Sequence, residues 1–383
     1  MHVPLLDLKK QYEPLREQVR AKLDEIASSQ HFILGPEVEG FEREICEYAG
    51  VGYAIGVSSG TDAELAILMG LGIGEGDVVI TTPYTFFATA GGIARVGARI
   101  VFVDIEPDTF NMSVAGLREA LERHGNVKAV MPVHLFGLSC RMDEIRALAA
   151  EHGVTVIEDA AQALGAEYPG AGGVERCGGM GEFGFYSFFP SKNLGAFGDA
   201  GMVVCKDGEM AEKIRRLRNH GMEERYYHHV VGGNFRIDAL QAAILRIKLP
   251  HLGAWSAMRR ANAASYREEF ERTGLGGNVA LPVEPFATGA VNHHIYNQYV
   301  IRAERRDELL KHLAGAGIGH AVYYPVPLHL QECFGGLGYK EGDFPEAERA
   351  ARETVALPVF PELTREQIGA VVGEVARFYE GCG

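Results

Sequence analysis

Seven short apolar runs punctuate the first two-thirds of the chain: "AIGVSS", "DVVITTP", "RIVFVDI", "KAVMPVHLF", "VTVIEDAA", "FGFYSFF" and "GMVVCK". Several are rich in Val and Ile and nearly continuous in apolar character. A strand with one wet face alternates, whereas a continuous run belongs to a strand covered on both faces. Helix candidates lie between the runs, at Asp62–Leu71, Val114–His124 and Met142–His152. The first is led by polar residues, carries an acid in its first turn and is closed by Gly70 and Gly72. Strand and helix in alternation predict a mainly parallel sheet covered by helices, an α/β fold.

The pattern changes near Leu249-Pro250. "DALQAAILRIKLPHLGAWSAMRRANAASYREEFERTG" reads as a long helix, a proline break and a second long helix. "HIYNQYVIRA", a helix over Arg305–Ala316, "HAVYYPVP" and a last helix near Arg365–Tyr379 follow. At 383 residues the chain exceeds one ordinary core. Two units are expected: residues 1–250 as a large α/β domain with an N-terminal arm, and 251–383 as a smaller α+β domain.

The net charge of -14 argues against a nucleic-acid partner, which leaves a basic patch or stripe. No apolar run is long enough to span a bilayer, so no membrane role is expected. "MHVPLLDLKKQYEPL" lacks the apolar core and cleavage site of a secretory signal, and a cytoplasmic location is expected. The six cysteines are scattered with no CxxC pair, so free and mostly buried thiols are expected. His228-His229 and His293-His294 are adjacent pairs, which on a strand point to opposite faces. No metal site is expected.

Open α/β sheets bind ligands at the carboxyl ends of their strands, and four features fall there. In "SSGTDAEL", Gly60 lets the backbone approach an anion and Thr61 offers a hydroxyl at a helix start. A plain helix cap over Ser59, Thr61 and Asp62 explains those residues equally. "TTPYTFFATA" places Tyr84, Phe86 and Phe87 past a strand, for stacking on a flat ring or for core packing. "VIEDAAQALGA" ends an apolar strand on Asp159, with Gln162 three residues later. A carboxylate at that depth calls for a positive partner, although a helix cap fits the spacing too. Lastly, "FYSFFPSKNLGAFGDAG" sets Lys192 five residues after Ser187, so one loop can hold an anion and present an amine. A lysine becomes a nucleophile when desolvation or neighbouring cations lower its pKa.

Each feature alone is ambiguous. Together they describe one cofactor: an anion site, a ring-stacking aromatic, an acid for a ring nitrogen and a lysine for an aldehyde. That cofactor is pyridoxal 5′-phosphate, with pyridoxamine 5′-phosphate as its amino form. Asp159 would keep the ring nitrogen protonated, and Lys192, once freed by a substrate amine, would move the proton.

The stretches "LDLKKQY", "FILGPEVEGFE", "GVSSGTDAELAIL", "PYTFFATA", "VIEDAAQALGA", "SFFPSKNLGAFGDAG", "RNHG", "YYHHVVGGNFRIDALQAAIL" and "YYPVPLH" resemble the DegT/DnrJ/EryC1/StrS family of sugar aminotransferases over nearly the whole length. The resemblance implies the aspartate aminotransferase-like fold type I of pyridoxal-phosphate transferases, and a homodimer with shared active sites. It makes Lys192 the Schiff-base lysine and Asp159 the partner of the ring nitrogen. Gln162 would approach the ring hydroxyl and Phe86 would stack on the ring. Gly60, Thr61 and Ser187 would bind the phosphate, and Asn234 would reach the phosphate in the other subunit.

Arg236 falls where related enzymes bind a carboxylate, here that of L-glutamate. Arg225, His229 and Arg236 also concentrate positive character suited to a nucleotide diphosphate, or to an ordinary charged loop. Tyr323, Tyr324 and His329 are candidates for the sugar. Relatives acting on hexuluronate sugars carry His-Tyr at Tyr323-Tyr324, a departure that puts a uronate in question. The implied activity is amino transfer from L-glutamate to a nucleotide-linked keto sugar, with C3 favoured over C4, for surface polysaccharide, lipopolysaccharide or antibiotic sugars. The family's dehydratases replace the lysine with histidine, so Lys192 argues against that chemistry. A regulatory protein without catalysis is the other alternative.

Overall fold

The apolar runs pair edge to edge. In the computed structural model, which describes residues 1–381, the strands are β1 (Tyr53–Val57), β2 (Val78–Thr81), β3 (Arg99–Phe102), β4 (Val127–Val130), β5 (Thr155–Asp159), β6 (Glu167–Gly170), β7 (Gly173–Arg176), β8 (Phe183–Ser187), β9 (Gly201–Cys205), β10 (Val279–Ala280), β11 (Tyr299–Ala303) and β12 (Thr354–Leu357). Seven form one sheet in the order β1-β9-β8-β5-β4-β2-β3. The β8–β5, β5–β4, β4–β2 and β2–β3 pairs are parallel. β9 runs antiparallel to both neighbours. A loop rather than a crossover helix joins β8 to β9, so the chain turns straight back. That returning loop carries Lys192.

β2 and β9 are buried along their whole length, as continuous apolar runs require. The register brings the chemistry to one edge. Val57 and Ser187 both pair with Gly201, and Asp159 pairs with Phe185 two residues before Ser187. The ends of β1, β5 and β8 therefore open onto a common space.

The helix after β1 spans Gly60–Leu71. The Ser59 side chain accepts the Asp62 N–H at its start, and Gly72 in the left-handed region ends it. Gly70 proves to be interior, packed against Met210 and Ile214 of the next layer. Helices Val114–Arg123 and Met142–His152 lie where the sequence places them. Two N-terminal helices, Arg16–Ser29 and Pro36–Ala49, were not read from the sequence and pack on Ala239–Lys248.

The proline break is a short turn, Leu249–His251, before the helix Leu252–Thr273. Beyond it β10, β11 and β12 form an antiparallel sheet. Its own core includes Tyr266, Tyr299, Ile301, Leu309 and Val355. "HAVYYPVP" contributes no strand, only a bridge between Ala321 and Ala356, because its prolines withhold ladder donors. Cys46, Cys140, Cys177, Cys205 and Cys333 are free thiols, three of them buried; Cys382 lies outside the described residues. Among the described residues no helix is long and apolar enough to cross a membrane.

Candidate active site

A cavity of about 440 Å³ lies at the carboxyl ends of β1, β5 and β8. Gly60, Thr61, Phe86, Asp159, Gln162, Ser187, Lys192, Tyr323 and Tyr324 all line it. These residues come from five separated segments, and the sheet register converges them.

One side of the cavity is made for an anion. A Cβ at Gly60 would stand 2.9 Å from the Ser187 Cβ, so only glycine allows this helix start to meet the end of β8. Ser59, rather than Thr61, does the capping. Thr61 thus remains on the cavity wall in the first turn, where the helix dipole favours negative charge.

Asp159 ends β5 and is only 5% exposed. Its Oδ2 accepts the Thr89 hydroxyl at 2.8 Å, and its Oδ1 accepts the Ala161 N–H at 3.1 Å. Burial pushes this carboxyl up, opposed by the Thr89 and Ala161 hydrogen bonds and by positive charge on Lys192 and His134. The backbone around it is tied to the turn after β4: the Asp159 N–H donates to the Pro132 carbonyl, and the His134 N–H to the Asp159 carbonyl. Behind it, Glu158 accepts N–H groups from Gly178, Met180 and Gly181. The carboxylate is held in place and favours a cation in front of it.

Lys192 supplies the amine. Burial pulls its pKa down to about 8, against the attraction of the Asp159 charge. A usable fraction of neutral amine therefore exists near neutrality. The loop that presents it is tightly pinned. The Lys192 N–H donates to the Phe189 carbonyl, and the Ala196 N–H to that of Phe188. Asn193 Nδ2 donates to the Ile295 carbonyl, and the Phe197 N–H to Gln241 Oε1. Lys248 Nζ donates to the Gly195 carbonyl, a support that sequence reading missed.

Gln162 Oε1 accepts the Phe136 N–H at 2.7 Å, and its Nε2 donates to the Tyr324 hydroxyl at 3.1 Å. Phe86 is 58% exposed, so its ring is open to a stacking partner. Its centroid lies 6.1 Å from that of Tyr324.

Other candidates lie apart. Arg225 and His229 occupy an exposed loop, with Arg225 donating to the Tyr226 hydroxyl and His229 3.8 Å from Glu223. Asn234 is exposed and bridges Asn219 through the backbone. Arg236 Nη1 donates to Asn219 Oδ1 at 2.7 Å, while its backbone pairs with Val57 at the end of β1. None of these four lines the cavity of its own chain. His329, expected at the sugar, is buried with Nε2 3.1 Å from Glu348 Oε1, and it does not line the cavity either.

The donor set fits pyridoxal phosphate: a buried carboxylate for a protonated ring nitrogen, a helix start beside Ser187 for phosphate, and an amine of lowered pKa for the aldehyde. Fold and cavity together define a pyridoxal-phosphate-dependent aminotransferase. The profile of the DegT/DnrJ/EryC1/StrS aminotransferase family matches residues 14–376, and the chain belongs to that family.

Among its relatives is a protein of Geobacillus stearothermophilus named pleiotropic regulatory protein, 50% identical over 99% of both chains. Another is the UDP-N-acetyl-3-dehydro-alpha-D-glucosamine 3-aminotransferase of Acidithiobacillus ferrooxidans, 41% identical over 99% of this chain and 98% of that one. The crystal structure of DesV from S. venezuelae, in complex with a ketimine intermediate, superposes with a TM-score of 0.91 at 41% identity over 99% of each chain. That of NtdA from Bacillus subtilis, with bound pyridoxamine phosphate, gives 0.89 at 28% identity over 98% of this chain and 85% of that one.

Proposed function

We propose that this enzyme moves the amino group of L-glutamate to the C3 ketone of a nucleotide-linked sugar. The single observation that carries the chemistry is Lys192, pulled down to about 8, in one cavity with the buried Asp159. Relatives named as 3-amino-sugar transaminases of UDP- and dTDP-sugars, at 41% and 35% identity among others, support C3 over C4.

Bound pyridoxal phosphate supplies an aldehyde that condenses with amines and a ring that accepts the electron pair of a broken C–H bond. The rest falls to the chain. Gly60, Thr61 and Ser187 hold the phosphate, and Phe86 covers one ring face. Asp159 keeps a proton on the ring nitrogen, because the buried carboxylate is stabilised by a cation and penalised without one. Gln162 orients the ring hydroxyl. Lys192 would be the covalent attachment point, and its neutral Nζ, once free, would take the proton from the substrate carbon and return it to the carbon on the other side of the nitrogen, a 1,3-shift.

The exposed loop gains its purpose in a homodimer. Tyr226, Tyr227 and Val231 are 75%, 66% and 89% exposed, more apolar surface than a lone loop needs. In a dimer, Asn234 and Arg236 of one subunit serve the other's cavity, with Arg225 and His229 beside the nucleotide diphosphate and Arg236 available to the glutamate carboxylate. The open lysine, the buried carboxylate and the anion site in one cavity favour catalysis over a purely regulatory role, which has no use for an amine presented beside both.

The test is direct. Protein loaded with pyridoxal phosphate is incubated with L-glutamate and UDP-linked 3-keto or 4-keto sugars, and the products are weighed. Amination of the 3-keto sugar alone is expected; amination of only the 4-keto sugar would reverse the assignment. Mixed dimers of Lys192→Ala with Arg236→Ala should regain activity; their failure would count against shared sites.

A further inference from the structure

Tyr84 is fully buried and lines no part of the cavity, yet the residues around it do. Thr85 and Phe86 follow it in the loop after β2, and both reach the cavity. Next to them stand Tyr323 and Tyr324, from the chain segment leading towards β12, with the Tyr324 ring centroid 6.1 Å from that of Phe86. The Tyr84 hydroxyl lies 2.6 Å from the Tyr323 carbonyl and 2.8 Å from the Thr354 hydroxyl at the start of β12.

A phenol has one proton, and a carbonyl can only accept. Tyr84 therefore donates to Tyr323, and Thr354 is the donor to the Tyr84 oxygen, sharing its proton with the Ala350 carbonyl at 2.8 Å. A backbone bond runs alongside, from the Leu328 N–H to the Pro83 carbonyl at 2.7 Å. The Tyr84 and Tyr324 rings meet edge to face at 6.3 Å. Burial pushes the phenol up to about 12, so it remains a donor at any working pH.

We propose that Tyr84 is a positioning residue for the acceptor substrate: it clasps the loop bearing Phe86 to the segment bearing Tyr323 and Tyr324, and so sets the width of the cavity beside the cofactor. This rests on the keto-sugar reading above for the identity of the acceptor. The clasp makes no contact with Lys192, Asp159 or Ser187 and reaches the cofactor side only through Phe86 and the Tyr324 hydroxyl bonded to Gln162, so cofactor capture should feel it less than the acceptor does. The acceptor, which must fit against the wall that the two clasped segments form, should feel it most.

Tyr84→Phe keeps the ring and its packing and removes one oxygen. Losing a buried hydrogen bond of this kind should raise KM for the UDP-linked 3-keto sugar by about tenfold. The maximal rate, the half-reaction with L-glutamate and the affinity for pyridoxal phosphate should stay within about twofold. Thr354→Val, which leaves the bond to Tyr323 in place, should shift KM less. Amide hydrogen exchange reads the clasp without any sugar: Ala321 and Leu328 should exchange faster in Tyr84→Phe, and the Asp159 amide should not. Wild-type KM and wild-type exchange in Tyr84→Phe would overturn the proposal. So would a loss of pyridoxal phosphate affinity as large as the change in KM, which marks general structural damage. If the wild-type enzyme aminates no keto sugar while exchange still loosens at Ala321 and Leu328, the sugar assignment fails and the clasp stands.

Discussion

Lys192 and Lys248 are both lysines that burial pulls down to about 8, and they play different parts. Lys192 opens onto the cavity and feels the Asp159 carboxylate. Lys248 is 5% exposed, donates to the Gly195 carbonyl and lies over the Phe197 ring at 5.7 Å. A lowered pKa thus marks desolvation rather than reactivity. Reactivity needs access, and an acid and an anion site at the right reach. The second lysine holds the loop that presents the first.

The sharpest way to break this contrast is to exchange the losses. Lys192→Ala should lower turnover by at least about a thousandfold, since attachment and proton transfer fall on one group. Its measurement is the steady-state rate with pyridoxal phosphate in excess. Asp159→Asn should lower kcat by about a hundredfold, because an amide cannot hold the ring proton by charge. It should weaken cofactor binding as well, read by equilibrium dialysis.

Lys248→Met keeps the apolar stem but loses the bond to Gly195, and should lower kcat by about tenfold or less. A loss as deep as that of Lys192→Ala would mean that the two lysines are not functionally distinct. The smallest effect is on stability. An unfolded lysine keeps its proton up to its ordinary value of 10.5, whereas the folded Lys248 gives it up near 8. Between those values the unfolded chain binds more protons, so folding stability rises with pH there. Buried Cys177 and Cys205, whose thiols are pushed up to about 11, act in the opposite sense, so the Lys248 contribution is read as a difference: denaturant unfolding at pH 8, 9 and 10 should show stability changing less favourably with pH in Lys248→Met than in the wild type.

The same contrast separates what was legible in the sequence from what was not. That Lys192, Asp159, Ser187 and Gly60 line one cavity was legible because each sits at or just beyond the end of an apolar strand. Lys248 follows Arg246 in "LRIKLPHL" and reads as the charged end of an amphipathic helix. Its burial comes from a loop more than fifty residues away, which local pattern does not carry. Tyr84 stood in a motif read for stacking, but its partners are 239 and 270 residues along the chain. His329 shows the reverse error: a polar residue near a motif, taken up by Glu348 in the interior.

The sheet was legible from its continuous apolar runs, and the helix after β1 from its cap and Gly72. β12 was missed because "TVAL" is short and directly follows the helix Pro345–Glu353, with no turn signal between them.

One measurement bears most directly on Lys192. Protein loaded with pyridoxal phosphate is reduced with borohydride, digested, and its peptides are weighed. The expected result is a pyridoxyl group on the peptide containing Lys192 and none on that containing Lys248. Label on Lys248, or protein that binds the cofactor without becoming labelled at Lys192, would contradict the assignment.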